Sequence, residues 1–463
     1  MKNTRSLWAS LFNITLVLAF IYGLVHRSAG VMVAAGVDTT TFLADFKNVY
    51  GGIIEQINTA KVFFNLLQKG PMDSPISTIG GRGYTFLART ARNWRLGYRP
   101  EGTTGVGTAG NTGLAQATVT LTYAYAPEVM TGQAINLSKG AERAFMAAKA
   151  LELKYDMLDL MAHINVVMVG AERGGQLAQI LTGATSTTQT LSTVGGLPGA
   201  LYLIAGMYID CGAVGGGTNS VTAIQISSVD YVANTIVLAS SQTTVTGDAV
   251  YLAGEAAQTT GTFPYTAEGL ISLISATGAR QGLNPATAGQ TSWQSLTQDV
   301  GGADISSQLI HEQISICNAR SGEDPDLGIF PPAQTNSLTR IATQTLRFET
   351  APNGGVAKKA LDLGFRTYSY GGRTIVEDKD CRIDRTFWGA ADKLRLFEAI
   401  PLSMADDDAG EWTRLIASGS VADAIGGLVR GYHQLGIMQR SAWSVYQNFS
   451  VPPAYLITPM SIA

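Results

Sequence analysis

One long amphipathic segment constrains the fold of this chain more than any other feature. Between residues 136 and 170, polar side chains follow one position after apolar ones, and no proline interrupts the run. The apolar positions, spaced by three or four residues, are Ala144, Ala148, Leu151, Tyr155, Leu158, Ala162, Val166 and Val169. This spacing predicts a single helix with one apolar side, ending at Gly170. At about 1.5 Å per residue it would extend roughly 50 Å, so we interpret it as a spine that supports other elements.

Composition limits both the number of domains and the function classes. A chain of 463 residues with 46% hydrophobic content is long enough for two to four structural units. Its formal charge of -3 gives no overall attraction to nucleic acid or to an anionic membrane, so any such contact would be local. Only 14% of the residues are charged, against about 25% in typical domains, which suggests that neighbours cover much of the surface.

The three cysteines favour neither a disulfide framework nor a zinc site. Cys211, Cys317 and Cys381 are far apart in the sequence, odd in number and without CxxC spacing. A zinc site needs cysteine and histidine ligands in pairs at short spacings, and the sequence shows no such pattern. We therefore expect ordinary reduced thiols.

The N-terminus carries an uncharged hydrophobic segment with basic residues on both sides. Residues 7–25 have the length and the flanks of a signal peptide or a membrane-spanning helix. Two other interpretations stay open: a translation start placed too far upstream, with Met32 as the true first residue, or a hydrophobic arm that packs on a partner. A helical pattern then runs over residues 42–67.

A long hairpin is predicted after this helix. Residues 82–99 alternate like a strand and become strongly basic, residues 102–113 are rich in glycine, and residues 117–125 alternate with period two. Two extended arms with a flexible tip have too little apolar surface to be stable alone in water. We expect the hairpin to lie on another surface, most simply on another copy of the chain.

The basic arm of this hairpin supplies the candidate functional residues. They are Arg89, Arg92, Trp94, Arg95, Tyr98 and Arg99. Phosphate pairing with aromatic stacking would bind nucleic acid, whereas planar guanidinium groups would also clamp carboxylates of an adjacent subunit. A solvated basic face is the third interpretation. We favour subunit contact, because the hairpin needs a surface to rest on.

After the spine helix the chain contains an inserted β-rich segment. Residues 182–193 form a Ser/Thr-rich linker, and residues 194–256 contain four short strands separated by turn signals, which predict a small antiparallel barrel or sandwich. The elements predicted beyond it are helices over residues 305–319 and 336–348, a short buried strand within 324–332, a hairpin over 364–378, a strand over 393–398 and a final helix over 421–446.

This order of elements resembles the major capsid proteins of tailed bacteriophages, the Hong Kong 97-type fold, in the variety with an inserted β-barrel. The resemblance rests on residues 269–274 with Trp293 following, on residues 324–332 and on residues 370–380. It implies an α+β fold with an N-terminal arm, a long extended hairpin loop, a spine helix, axial and peripheral domains and the inserted barrel. The hydrophobic segment 7–25 departs from this pattern.

The resemblance also implies a division of the chain into domains. The expected parts are the hydrophobic N-terminal segment (1–31), the arm (32–78), the extended loop (79–130), the peripheral domain with the spine helix (131–193), the inserted barrel (194–256), the axial domain (257–350), the return strands of the peripheral domain (351–403), and the C-terminal axial helix and tail (404–463).

The function implied by the resemblance is structural. The chain would self-assemble as a homo-oligomer into hexamers and pentamers of an icosahedral virion shell around double-stranded phage DNA, in the host cytoplasm, with scaffold, portal and decoration proteins as further partners. No enzymatic activity, cofactor, metal or small-molecule substrate is expected. The rivals are an exported surface-layer or adhesin protein, motivated by residues 7–25 and by sequons at Asn13, Asn136 and Asn448, and an enzyme.

Four local motifs suggest chemistry but lack a required part. Residues 105–110 match GxGxxG, yet a strand rather than a helix follows, so no helix N-terminus would face a pyrophosphate. His311 and Glu312 begin like a zinc-protease helix, but Ser315 replaces the second histidine.

The other two motifs are acidic. Asp378 and Asp380 begin like a calcium loop, but Arg382 occupies the place of the third oxygen donor. Residues 406–408 are three consecutive aspartates, which are better explained by the dipole of a following helix. We therefore expect no catalytic, cofactor or metal site.

Overall fold

The computed structural model describes most of the chain after residue 61. The described residues are 62–69, 77–79, 83–93, 98, 111–133, 142–170, 175–214, 218–255, 265–345, 368–406, 412–417 and 420–452. The hydrophobic segment 7–25 lies outside them, as does most of the helix predicted over residues 42–67. Among the described helices, none is both long enough and apolar enough to cross a membrane.

The described residues form five α-helices and twenty strands. The helices are α1 (Val62–Leu66), α2 (Glu142–Val169), α3 (Leu270–Leu273), α4 (Ser307–Ser321) and α5 (Pro332–Thr345). The strands are β1 (Gln68–Lys69), β2 (Ser77–Ile79), β3 (Gly83–Ala91), β4 (Gly113–Thr120), β5 (Thr122–Thr131), β6 (Ala178–Gln179), β7 (Thr185–Thr190), β8 (Tyr208–Gly212), β9 (Asn219–Asp230), β10 (Thr235–Thr243), β11 (Ala249–Leu252), β12 (Leu296–Asp299), β13 (Leu327–Phe330), β14 (Tyr368–Tyr370), β15 (Arg373–Glu377), β16 (Thr386–Gly389), β17 (Leu394–Met404), β18 (Trp412–Ala417), β19 (Ser420–Ile437) and β20 (Trp443–Gln447).

The chain divides into two compact units. The first contains Met1–Ile54, Pro127–Lys154 and Met404–Val429, and the second contains Glu55–Ala126, Tyr155–Ser403 and Arg430–Ala463. In the first unit, β18 pairs with β19 in antiparallel register, from Trp412↔Gly427 to Ala417↔Ser420. The second unit holds the main core and the inserted sheet.

The final helix predicted over residues 421–446 is wrong, because this region forms strands β19 and β20. Glycine-rich sequence explains the difference, since glycine disfavours a helix interior by about 1 kcal/mol per residue. Two of these glycines also allow close packing in a sheet. A Cβ atom at Gly431 would lie 2.6 Å from the Leu402 side chain, and one at Gly436 would lie 2.4 Å from the Phe397 ring.

The predicted spine helix is confirmed as α2, which has 28 residues and is about 42 Å long. Its apolar side is only half-buried at Tyr155, Leu158 and Ala162. From Ile164 onwards the helix is buried, and its last residues join the main core of the second unit. The other buried residues of this core include Phe63, Phe64, Leu270, Leu273, Ile329, Leu396, Leu435, Ile437 and Trp443.

The inserted segment forms a six-stranded sheet with the order β6-β11-β8-β9-β10-β7. The linker predicted over residues 182–193 is wrong, because Thr185–Thr190 is strand β7 and pairs with β10. Threonine has a high propensity for strands. Because most residues of β7 are exposed to solvent, the strand is polar and has the same composition as a linker. The first of the four predicted strands, expected from Leu201, begins only at Tyr208, because glycines and Pro198 occupy the preceding turns.

A second six-stranded sheet has the order β12-β20-β16-β13-β15-β14. Its central strand β13 is buried at all four positions, which confirms the short buried strand predicted from the sequence. The β14–β15 hairpin turns through Gly371 and Gly372, both with positive φ. Helices α4 and α5 confirm the helices predicted over residues 305–319 and 336–348.

A buried amide joins three separate segments of the second unit. The Asn165 Nδ2 atom, on α2, donates to Asp380 Oδ2 at 2.7 Å and to both oxygens of Asp378 at 3.3 and 3.2 Å. In α1, the Phe64 N–H donates to Asn165 Oδ1 and the Phe63 N–H to Asp378 Oδ2, both at 2.9 Å. N–H groups in the first turn of a helix lack partners within the helix, so these acceptors hold α1 in place.

We predict that Asn165→Ala destabilises the second unit by about 3 kcal/mol, because it removes a hydrogen-bond donor from two buried carboxylates and an acceptor from the Phe64 N–H. Urea unfolding followed by tryptophan fluorescence measures this, since Trp443 belongs to the same core. Asn318→Ala, on the exposed face of α4, is the matched control and should change stability by less than about 0.5 kcal/mol. Equal effects of the two substitutions would contradict the account.

Candidate functional site

The predicted hairpin is confirmed at its base, although its second arm ends at Thr120 and residues 122–125 belong to β5 in another sheet. Strands β3 and β4 pair in antiparallel register from Gly83↔Thr120 to Ala91↔Gly113. One face of the hairpin is buried, and its residues include Tyr84, Phe86, Ala117 and Val119. Most of the glycine-rich tip lies outside the described residues.

The base of the hairpin rests on its own chain. The Phe86 ring packs on Trp293 with centroids 6.4 Å apart, and the Tyr84 ring packs on Phe397 at 5.3 Å. Hydrogen bonds supplement this packing: Tyr84 Oη donates to the Glu398 carbonyl at 3.0 Å, and the Ser292 hydroxyl donates to the Thr90 carbonyl at 2.5 Å. The expectation that another copy supplies the supporting surface is therefore wrong for the base, because the chain's own Trp293 loop provides it.

The opposite face of the hairpin carries exposed apolar side chains. Leu87 is 62% exposed and Leu114 is 60% exposed, and both lie on the face that points away from Trp293. Arg89 is directly opposite Leu114 in the register, and its side chain is exposed. Apolar groups beside an arginine are typical of protein–protein contact surfaces. We call Leu87, Arg89 and Leu114 the outer hairpin face.

The structure brings together only part of the predicted contact set. Arg89 lies at the end of β3, and Arg92 follows it with an exposed side chain. Tyr98 is fully exposed. The remaining three, Trp94, Arg95 and Arg99, lie outside the described residues. Sequence reasoning missed Leu87 and Leu114, although the period-two alternation of the strands would have placed both on the face of Arg89.

A cluster of three tyrosines forms a second exposed feature. The rings of Tyr123 and Tyr432 meet edge to face at 4.7 Å, and Tyr125 lies 6.3 Å from Tyr432. Tyr123 and Tyr125 are about half exposed. A hydrogen bond with Tyr432 raises the pKa of Tyr125. The sequence indicated the first two residues as alternate strand positions but placed Tyr432 in a helix, so the cluster was not foreseen.

An ion pair links the spine helix to the end of the inserted sheet. His163 Nε2 lies 2.7 Å from Glu255 Oε1, and the two side chains are 22% and 21% exposed. Burial lowers the pKa of His163, but the charge of Glu255 and the hydrogen bond to it raise that pKa more, so the net shift is upward. His163 of the spine helix therefore has a specific partner.

The motifs that suggested chemistry take structural roles where they are described. The Asp378 and Asp380 carboxylates accept hydrogen bonds from Asn165, and Lys379 Nζ lies 2.7 Å from Asp380 Oδ1. His311 and Glu312 are exposed on α4. Residues 105–110, 407 and 408 lie outside the described part. Within the described part, no group of three or more His, Cys, Asp or Glu side chains is arranged to hold a metal ion.

The cleft between the inserted sheet and the loop after β15 is small. Its accessible volume is about 150 Å³, and its walls include Pro198, Tyr202, Cys381 and Arg382. Sites for small molecules or cofactors usually measure about 300 to 1,000 Å³. Burial raises the pKa of the Cys381 thiol well above its usual range, so this cysteine is not an activated nucleophile.

Comparison with known proteins identifies the fold. No family model matches the chain, and no curated protein matches it in sequence. A chain of the solved cyanophage A-1(L) capsid asymmetric unit is similar with a TM-score of 0.52 at 13% identity, over 87% of this chain and 96% of that chain. A chain of the Gordonia phage Cozz structure matches with a TM-score of 0.42 at 12% identity, over 91% of this chain and 98% of that chain. A chain of the Myoviridae phage XM1 capsid matches with a TM-score of 0.41 at 11% identity, over 89% of this chain and 99% of that chain.

The likeness to the cyanophage chain shows that this protein has the mixed α and β fold of a phage capsid protein. The resemblance to phage capsid proteins is thereby confirmed at the level of a mixed α and β capsid fold.

We predict that the His163–Glu255 pair stabilises the protein more at mildly acidic pH than at alkaline pH. Because the folded-state pKa of His163 is raised, its stabilisation is complete below the unfolded value of about 6.5 and is lost as the pH rises through the higher folded-state pKa. The difference in melting temperature between the wild type and His163→Gln should shrink as the pH rises above about 6.5. A difference that grows over this range would contradict the assignment.

We predict that Trp293→Ala loosens the hairpin specifically, because it removes the ring under Phe86 at a cost of about 3 to 5 kcal/mol. Hydrogen exchange of the β3 and β4 amides should accelerate, while the six-stranded inserted sheet keeps its protection. Leu114→Ala, at an exposed position on the same hairpin, is the control and should leave exchange nearly unchanged. Uniform acceleration across both regions would show that Trp293 supports the whole unit.

Proposed function

We propose that this chain is a phage coat protein that assembles into a closed shell. The observation that carries the proposal is the likeness to the cyanophage capsid chain, which extends over 87% of this chain and 96% of that chain. A likeness that includes nearly the whole of both chains supports a common architecture rather than one shared domain. The function would then lie in surfaces that fit neighbouring copies.

The finer features of the Hong Kong 97-type fold are part of this proposal. In it, β3 and β4 form the base of the extended loop, α2 is the spine helix, and the inserted sheet is a small barrel. A bridge between Ile180 and Leu191, next to the two edge strands β6 and β7, supports closure into a barrel. The insertion then begins near Ala178 rather than at residue 194. The peripheral domain would then end before Ala178, and the other domain bounds stay as expected from the sequence.

The assembly itself follows the same proposal. Copies would form the hexamers and pentamers of an icosahedral virion shell, built in the host cytoplasm with scaffold, portal and decoration proteins as further partners. Double-stranded DNA would be enclosed without sequence-specific contact, which agrees with a chain whose formal charge is -3. Catalysis, cofactors and metals have no part in this function.

The outer hairpin face is our candidate for the contact between subunits. The buried face of the hairpin packs on Trp293 and Phe397. The exposed Leu87 and Leu114 lie on the opposite face and take no part in that packing. Burial of these two leucines against a neighbour would provide apolar stabilisation. Arg89 beside them has the planar donor group that pairs well with a carboxylate.

We predict that Arg92→Ala, Arg95→Ala and Arg99→Ala combined give a folded, soluble protein that fails to form shells. Each charge-assisted contact is worth roughly 1.5 to 3 kcal/mol, and a closed shell repeats every contact in each subunit. Sedimentation velocity of the triple variant, beside the wild type, measures the outcome. Arg320→Ala, which removes an exposed arginine from α4, is the control and should assemble normally.

Two results would contradict parts of this prediction in different ways. Normal shells with reduced DNA content and a weaker salt dependence would assign the arginines to nucleic acid instead of a subunit. A wild-type chain that stays monomeric under all assembly conditions would refute the coat function itself.

A further inference from the structure

A fully buried arginine contacts the segment that supports the hairpin. We call this segment, residues 273–293, the support loop. Arg440 lies in the short connection between β19 and β20, and none of its side chain is exposed to solvent. Burial and the charge of Arg280 lower the pKa of Arg440 to about 10, while the charge of Glu268 opposes that shift. Arg440 therefore remains a buried cation at neutral pH.

The guanidinium group of Arg440 donates to four backbone carbonyl groups of the support loop. Its Nε atom lies 3.1 Å from the Leu273 oxygen, and its Nη2 atom lies 2.6 Å from the Ser275 oxygen. Its Nη1 atom lies 2.9 Å from the Trp293 oxygen and 3.5 Å from the Gly278 oxygen. A buried charge is unfavourable unless polar partners surround it. Because the acceptors come from both ends of the loop, this cation holds the two ends together.

A second buried arginine fixes the ring of Trp293. The Arg280 Nε atom donates to the Ser272 carbonyl at 2.7 Å, and the Arg280 carbonyl accepts the indole N–H of Trp293 at 3.2 Å. Trp293 is thus held by its own carbonyl, which binds Arg440, and by its indole nitrogen. The orientation of the ring on which Phe86 packs therefore depends on both arginines.

The support loop contacts both strands of the hairpin base. In β4, the Thr118 N–H donates to the Gln281 carbonyl at 2.8 Å. In β3, the Thr90 carbonyl accepts the Ser292 hydroxyl at 2.5 Å. The buried cation, whose acceptors all lie outside the hairpin, is therefore connected to both strands through the loop.

We propose that Arg440 is a positioning residue for the hairpin: by fixing the support loop, it sets where β3, β4 and the outer hairpin face lie. Arginine suits this role, because its planar group presents five N–H donors in fixed directions. Lysine presents three donors from one atom, which cannot reach four separated carbonyls. The consequence for assembly rests on the proposed coat function, because a neighbour can bind the outer hairpin face only where the loop presents it.

Arg440→Lys tests this role, because it keeps the charge and removes the planar donor group. Hydrogen exchange of the full-length protein should show the β3 and β4 amides exchanging at least about tenfold faster than in the wild type, since hydrogen bonds from a charged donor are lost. The inserted sheet should keep its wild-type protection. Arg320→Lys, the same substitution at an exposed position of α4, is the matched control and should change neither region. Unchanged exchange of β3 and β4 in Arg440→Lys, or equal acceleration in the inserted sheet, would overturn the proposal.

Chemical rescue provides a readout that a general loss of stability would not give. Arg440→Ala leaves a space among the same four carbonyls, and a free guanidinium ion has the shape and the donors to occupy it. Guanidinium chloride at about 20 mM, far below the molar concentrations that unfold proteins, should restore the protection of β3 and β4 in this variant. Ammonium chloride at the same concentration should not restore it.

Two results of the rescue experiment would refute the positioning role. Equal rescue by both ions, or rescue by neither, would show that the planar donor group does not hold the loop. If neither Arg440→Lys nor Arg440→Ala folds, Arg440 supports the whole unit rather than the hairpin, which also refutes the role.

Shell assembly separates this inference from the proposed function. If the wild type forms no shells while the exchange and rescue results are as expected, the coat function fails and the positioning role stands. If the wild type forms shells while Arg440→Lys leaves the exchange of β3 and β4 unchanged, the positioning role fails and the coat function stands.

Discussion

The amide of Asn165 is the interaction on which the rest of the second unit depends. It lies near the end of the spine helix, where it donates to the Asp378 and Asp380 carboxylates and accepts the Phe64 N–H. Burial raises the pKa of Asp380, while Lys379 and Asn165 oppose that shift by stabilising the ionised form. Without these donors, buried carboxylates would be strongly unfavourable. One polar residue thus makes it possible for helix, loop and α1 to share a single apolar core.

The same part of the spine helix supports the inserted sheet. Val166 belongs to the core of that sheet, whereas its neighbours Ile164 and Val167 belong to the main core. His163 pairs with Glu255 at the end of the insertion. Successive residues of one helix therefore serve different cores, because side chains one position apart point about 100° from each other. This arrangement fixes the inserted sheet to the main core through one helix.

The sequence allowed prediction of the elements whose patterns are long and regular. The spine helix, the two hairpin strands and helix α4 were foreseen because their periodicity extends over many residues. Strand β19 was predicted as a helix from the spacing of its apolar residues. That spacing gives no information about the packing of Leu402 and Phe397 against its glycines. The Asn165 cluster was not foreseen, because a polar residue on a helix gives no sign of distant partners. Of the candidate site, the arginines were predicted, and the leucines beside Arg89 were not.

Electron microscopy of the purified, full-length chain tests the central claim most directly. If this protein is a coat protein, negative staining under assembly conditions will show closed shells of uniform diameter, built from copies of this chain. Persistent monomers, open sheets or filaments without closure would contradict the account, because the proposed function consists only of surfaces that close by symmetry.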